Sequence, residues 1–189
     1  HVAGHLGLLY AEGLRALAQF GAVVGHKGHG KRGGVGGGSS ANGANVQQYE
    51  ANGTDAQLWR IEDDGDGSYT ITSKISGKAL DVSGARSANG TNVQIYESNG
   101  SDAQRWYLTS PASPEDGKIV TLFSVKDSSL VIDVSGGATT GGARLTLQKK
   151  SGSESQKFLL KENDDGSYTL TNEKSELAVD VSGGSFSNG

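Results

Sequence analysis

The chain contains no cysteine and no methionine, only two prolines, and aromatic residues make up just 6% of it. Without cysteine there is no disulfide, no thiol nucleophile and no thiolate metal site. Without methionine, and with His1 at the first position, the sequence reads as a fragment or a processed product. A positive excess is also missing. The formal charge is −4, which gives nothing to hold a phosphate backbone, so nucleic acid is not an expected partner. Residues 5–24 place Leu6, Leu9, Tyr10, Leu14 and Leu17 at helical spacing, but Glu12 and Arg15 interrupt them. No run reaches the ~18 apolar residues of a membrane span, and there is no cationic start followed by an unbroken apolar stretch as in a signal peptide.

What is abundant is glycine, 30 of 189 residues, about 16% against a usual ~7%. Twelve of these glycines and all four histidines (His1, His5, His26, His29) fall in residues 1–40. That segment carries a charge of +3, leaving −7 and no histidine in residues 41–189. The composition therefore divides the chain into a stub of a neighbouring domain or a non-native segment (1–24), a Gly-rich linker (25–40) and a domain (41–189). His26 and His29 have no carboxylate near them in sequence, and no metal site is expected.

The domain repeats itself. Gly43–Ile61 and Gly90–Leu108 agree at 12 of 19 positions, and Gly142–Leu160 is a worn third copy. A Gln-x-aromatic signature recurs at Gln57/Trp59, Gln104/Trp106 and Gln156/Phe158, with spacings of 47 and 52 residues. A second block, Asp-Val-Ser-Gly, recurs at Asp81, Asp133 and Asp180. Runs of strand character follow D-G turns at Asp66-Gly67, Asp116-Gly117 and Asp165-Gly166. Many short strands at even spacing and no helical period predict an all-β sandwich or barrel.

The first copy lacks its D-G strand and its Asp-Val block; the last copy has both and then stops. The N- and C-terminal parts thus complete one unit between them, and joining Gly189 to Ala44 restores the spacing of 47. This is the pattern of a circular permutation or of a window from a tandem array.

Three QxW-type signatures in register with three Asp-Val blocks resemble the ricin B-type lectin domain, similar to family 13 carbohydrate-binding modules. The resemblance covers residues 41–189. It implies a β-trefoil with pseudo-threefold symmetry, four strands per unit, and one shallow sugar pocket per unit. Trp59, Trp106 and Phe158 would be core aromatics. Leu80/Val82, Ile132/Val134 and Val179/Val181 would face inward beside each Asp. The Gln of each signature would hydrogen-bond backbone. The Asp of the block would accept from vicinal sugar hydroxyls, a polar residue thirteen positions on would contribute, and an aromatic two further would stack on the ring. Carried over, this gives Asp81 with Gln94 and Tyr96. It gives Asp180 with Gln47 and Tyr49 across the two ends of the domain. Asp133 meets Thr146 and Gln148, a site degraded by the missing aromatic. Many members carry Asn just before the signature Gln; here Ala56, Ala103 and Ser155 stand there, with Asp55 and Asp102 one residue earlier as substitutes.

The residue chemistry is consistent with this. A carboxylate can bridge two hydroxyls, and a Gln amide both donates and accepts. A tyrosine ring offers a flat apolar face to a pyranose while its hydroxyl stays wet. Asp63-Asp64-Gly65-Asp66-Gly67 looks like part of a calcium loop, but the closing bidentate Glu is missing and a hairpin turn with solvated acids accounts for it. The recurrent acids belong to three separate positions and not to one facing pair of a glycosidase. The resulting expectation is a non-catalytic carbohydrate-binding protein, secreted or on the cell surface, without cofactor, binding galactose-type sugars or plant polysaccharide such as xylan, and monomeric. The alternatives are a module of a glycoside hydrolase whose catalytic domain lies elsewhere, and a trefoil scaffold that binds protein.

Overall fold

A computed structural model describes residues 38–109 and 118–183. The stub of residues 1–24 with its helical stripe, linker residues 25–37, the Asp116-Gly117 turn and Gly189, with its expected approach to Ala44, lie outside the described residues. The described residues form twelve strands: β1 (Ala44–Tyr49), β2 (Trp59–Asp63), β3 (Tyr69–Ser73), β4 (Ala79–Val82), β5 (Val93–Tyr96), β6 (Arg105–Thr109), β7 (Lys118–Ser124), β8 (Leu130–Val134), β9 (Leu145–Lys149), β10 (Phe158–Glu162), β11 (Tyr168–Asn172) and β12 (Ala178–Val181).

Six of them close on themselves. β2 pairs β3, β3 pairs β6, β6 pairs β7, β7 pairs β10, β10 pairs β11, and β11 returns to β2, all antiparallel. The other six form three hairpin-like pairs, β4 with β5, β8 with β9, and β12 with β1. These pairs meet around the pseudo-threefold axis, through β1–β5 pairing and the bridges Gln47↔Arg144 and Asn92↔Thr146. This is the β-trefoil, and the fold is all-β. The third unit is completed across the chain, because β12 near the end pairs with β1 near the start in the register Gln47↔Asp180.

The local causes are visible in each unit. β3 alternates buried and half-buried along Tyr69–Ser73, the period of a strand with one face in the core. Before it, Asp66 accepts the Ser68 N–H at 3.1 Å, and before β11, Asp165 accepts the Ser167 N–H at 3.0 Å. An Asp side chain that satisfies the backbone two residues on makes the turn. After each Asp-Val block the chain must turn sharply, and Gly84 and Gly136 do so at φ 63° and 65°, where a side chain is disfavoured. The turns are then fixed alike in the three units: Ser83 N–H to Asn92 O, Ser135 N–H to Arg144 O and Ser182 N–H to Asn45 O, at 3.0, 2.9 and 2.8 Å.

Trp59, Trp106 and Phe158 are completely buried, and Leu80, Val82, Ile132, Val134, Val179 and Val181 join them in one core. No unit could enclose such a set alone; burying each large apolar side chain stabilises by about 1.5–3 kcal/mol only once three units surround it. Trp106 Nε1 donates to Leu80 O and Trp59 Nε1 to Val179 O, both at 3.1 Å. Each indole thus grips the residue just before Asp81 or Asp180. Phe158 has no N–H for the same task beside Asp133. The core therefore positions two of the three Asp blocks more firmly than the third.

Candidate functional site

Asp81 and Gln94 face each other across β4 and β5. Gln94 Nε2 donates to Asp81 Oδ1 at 2.8 Å. Two residues on, Tyr96 stands 40% exposed, one of two large aromatics left open among the described residues. The other is Tyr49, 41% exposed, in the unit that the chain ends complete. There Gln47 Nε2 donates to Asp180 Oδ2 at 2.9 Å. The two expected sets, Asp81–Gln94–Tyr96 and Asp180–Gln47–Tyr49, are thus brought together alike.

Both carboxylates are nearly covered, Asp81 6% and Asp180 5% exposed. Burial pushes both carboxyls above the usual carboxylate range, and amide donors oppose that shift. One donor is the site's own Gln. The second is the signature Gln of the core: Gln104 Nε2 donates to Asp81 Oδ2 at 3.1 Å, and Gln57 opposes the shift at Asp180.

These signature glutamines were expected to bond backbone, and they do. Gln104 donates to Glu97 O at 2.9 Å and accepts from Asn99 N at 2.8 Å; Gln57 donates to Glu50 O at 2.8 Å and accepts from Asn52 N at 2.9 Å. Their hold on the carboxylate was not anticipated. The clue in the sequence was a fixed interval, 23 residues from Asp81 to Gln104 and again from Asp133 to Gln156. Each oxygen that accepts one amide N–H keeps a further lone pair. Asp81 is therefore a carboxylate oriented by two amides with acceptor capacity to spare, on the strand paired with the one that ends in the exposed Tyr96.

The third set differs. Asp133 lies opposite Thr146, and Gln156 Nε2 holds Asp133 Oδ2 at 2.9 Å. Thr146 is too short to do what Gln94 does, and both Asp133 Oδ1 and Thr146 Oγ1 are buried without a partner. Gln148, half-buried, takes the place of the tyrosine and offers no stacking face. Asp133, Thr146 and Gln148 are thus brought together without the second amide and the ring found at Asp81.

The residues before the signature Gln are enclosed: Ala56, Ala103 and Ser155 are 0%, 4% and 5% exposed. The acids one residue earlier are engaged with cations, Asp55 with Lys74 at 3.2 Å and Asp102 with Arg105 at 3.3 Å. The acids of the 63–67 turn serve the turn itself and the next unit. Asp63 accepts from Gly65 N at 2.7 Å, Asp64 from Ser68 Oγ at 2.9 Å and Thr70 Oγ1 at 2.8 Å, and Arg105 pairs with Asp64 and Asp66. Among the described residues no group of three metal-ligating side chains is gathered, and no helix is long and apolar enough to cross a membrane.

Six strands closed into a barrel and three hairpin-like pairs around one axis define a β-trefoil with pseudo-threefold symmetry. The family model described as ricin-type beta-trefoil lectin domain-like matches residues 23–96 and 102–189, and the chain belongs to that family, one of carbohydrate-binding domains. Among solved structures the chain is similar to the designed 3-fold symmetric protein ThreeFoil, 39% identical with a TM-score of 0.58, over 63% of this chain and 81% of that one. It is similar in fold to a mosquitocidal holotoxin (15% identity, TM-score 0.55, 78% of this chain and 25% of that one). It is likewise similar in fold to 1,3Gal43A, an exo-beta-1,3-galactanase from Clostridium thermocellum (20%, TM-score 0.50, 71% and 28%). The chain spans about a quarter of the length of those two natural proteins. The search of curated proteins returned no match.

Proposed function

We propose that residues 41–189 form a non-catalytic sugar-binding domain with two working pockets, Asp81–Gln94–Tyr96 and Asp180–Gln47–Tyr49. The observation that carries this is the twofold recurrence of one arrangement: a buried carboxylate that accepts an amide N–H from a Gln standing two residues before a tyrosine about 40% exposed. Leaving two large rings exposed, when no other large apolar side chain among the described residues is, has a ready explanation if each ring is covered by a ligand. The carboxylate then bridges two hydroxyls, the Gln amide meets a third polar group, and the ring receives the C–H face of a pyranose.

The ligands proposed are galactose-type sugars or plant polysaccharides such as xylan. The setting proposed is a secreted or cell-surface protein in which the domain works as a monomer, joined to another domain through residues 25–40. A pocket of this size binds weakly, with Kd on the order of 1 mM, or about −4 kcal/mol. Two pockets on one domain raise the effective concentration on a polymer.

Titration of galactose, lactose and soluble xylan into the protein and into Asp81→Ala tests this. Binding is expected for at least one sugar, with about half the sites lost in the variant. Silence from all three up to ~100 mM, a hundred times the expected Kd, rejects the sugar-binding reading.

A further inference from the structure

The two sugar pockets differ in how their tyrosines are supported. In each unit a glycine N–H bonds a strand carbonyl of the neighbouring unit: Gly43 to Ile95 O at 2.9 Å, Gly90 to Leu147 O at 2.8 Å and Gly142 to Gln48 O at 2.8 Å. These contacts fix which residues correspond. Before the glycines stand Asn42, Asn89 and Gly141. Asn42 Oδ1 accepts the N–H of Glu97, the residue after Tyr96, and Asn89 Oδ1 accepts the N–H of Lys149, the residue after Gln148, both at 3.0 Å. An asparagine from the loop thus clamps the end of the strand that carries the pocket's outer residue. At Tyr49 the corresponding residue is Gly141, which has no side chain for this.

The carbonyl-bearing residues differ in the opposite sense. Ile95 and Leu147 are buried apolar residues, whereas their counterpart Gln48 is an amide, equally buried at 0% exposure. Gln48 Nε2 donates to Ala138 O and to Thr140 O, both at 3.0 Å, and its Oε1 accepts from Ser175 Oγ at 2.7 Å. Both carbonyls belong to the loop that carries Gly141. That loop lies against the tyrosine: a Cβ at Gly141 would stand 3.5 Å from Tyr49 Cδ2 and 3.7 Å from Cε2.

We propose that Gln48 is the positioning residue of the Asp180 pocket, holding the 138–142 loop against the Tyr49 ring. It does from the strand what Asn42 does from the loop for Tyr96. A buried amide in a core position otherwise filled by Ile or Leu must bond fully to be tolerated, and here every bond it makes runs to the loop or to Ser175, the turn before β12. Tyr49 and Tyr96 therefore stack on sugar from differently fixed positions. The inference rests on the sugar-binding role proposed above for these pockets.

The test is Gln48→Leu, which places in this unit the residue found at position 147. Lactose titrated against 15N-labelled protein reads the two pockets separately, through the amides of Tyr49 and Glu50 and those of Tyr96 and Glu97. Affinity at the first pair is expected to fall about fivefold, with the second pair unchanged. Adding Gly141→Asn, at a backbone position that is not left-handed, should rebuild the Asn clamp and restore the first pocket. Ser175→Ala, which frees one end of Gln48, should act in the same direction and covers the case that Gln48→Leu does not fold.

Equal loss at both pockets, no loss at either, or no restoration by Gly141→Asn would each overturn the proposal. A second measurement needs no sugar: contacts between the Tyr49 ring protons and Gly141 Hα, read by nuclear Overhauser effects, should be present in the wild type and lost in Gln48→Leu. Their persistence overturns the positioning role. If lactose moves neither pair in the wild type, the sugar-binding reading fails for that ligand and the ring contacts decide the role of Gln48 alone.

Discussion

Gln47 and Asp180 are 133 residues apart in sequence, yet they lie opposite each other on β1 and β12, with the Gln47 amide 2.9 Å from the Asp180 carboxylate. Asp81 and Gln94 make the same contact at 2.8 Å and are only 13 positions apart. One chemical unit is thus written once within a hairpin and once across the whole domain.

The two pockets should therefore act independently. Asp81→Ala is expected to remove binding at Tyr96 and leave Tyr49 responsive, Asp180→Ala the reverse, and the double variant to bind no sugar. Site-resolved NMR titration measures this. Loss at both pockets from either single change would contradict two separate sites.

Gln104 holds Asp81 while bonding the backbone at Glu97 and Asn99. Gln104→Leu should cost about 1–3 kcal/mol, because a buried carboxylate oxygen and a carbonyl lose their donor. It should weaken sugar binding at Tyr96 more than at Tyr49. Denaturant melts together with the titration check both parts, and an unchanged midpoint would speak against the bonds.

At Asp81 and Asp180 acid should weaken binding while relieving a folding penalty. Burial raises the Asp81 and Asp180 carboxyls, so sugar affinity should begin to fall while the pH is still above the ordinary carboxylate value of about 3.9. For folding, ionising these two groups is a penalty, present above their folded pKa and gone below the unfolded one. Asp66 is the reverse case. Its bond from Arg105 lowers it to about 2, so its stabilisation is complete above about 3.9 and is lost as pH falls through about 2. Asp165 is lowered likewise by Lys74. Arg105→Ala should flatten this acid limb in a series of thermal melts against pH. At neutral pH it should cost under about 1 kcal/mol, less still in high salt, because these acids are largely exposed.

Trp106→Ala should cost about 3–5 kcal/mol and also disturb the Asp81 pocket, since the indole holds Leu80 O. Phe158→Ala should cost a similar amount without such a link. Urea unfolding of the two variants, with lactose titration of each, makes the comparison. A near-zero loss for Trp106→Ala would place that ring outside the core.

The residues that repeat were legible in the sequence. Trp59, Trp106 and Phe158 in the core, and Asp81, Gln94 and Tyr96 as one set, were implied by the family resemblance that the repeated signatures carry, and a strand pair of fixed register turns the interval of 13 into an opposition. What the sequence did not reveal is where the units differ and touch. Nothing local to Arg105 announces that it reaches Asp64 and Asp66 of the preceding unit. Gln48 reads as one more polar strand residue where the repeat has Ile95, and only the fold shows it bonded to Ala138, Thr140 and Ser175. Gly141 reads as a turn glycine until Tyr49 is found lying along it. These contacts arise between units, and a repeat pattern records only what the units share.

The pairing of β1 with β12 also sets an order of assembly. The Asp81 pocket needs only neighbouring strands joined by a short turn, a contact that closes quickly. The Asp180 pocket exists only after the rest of the barrel has brought its first and last described strands side by side, and loop closure over so many residues is slow. During refolding the two pockets should mature at different times, so the tyrosine at position 49 marks the completed fold and the one at position 96 its beginning.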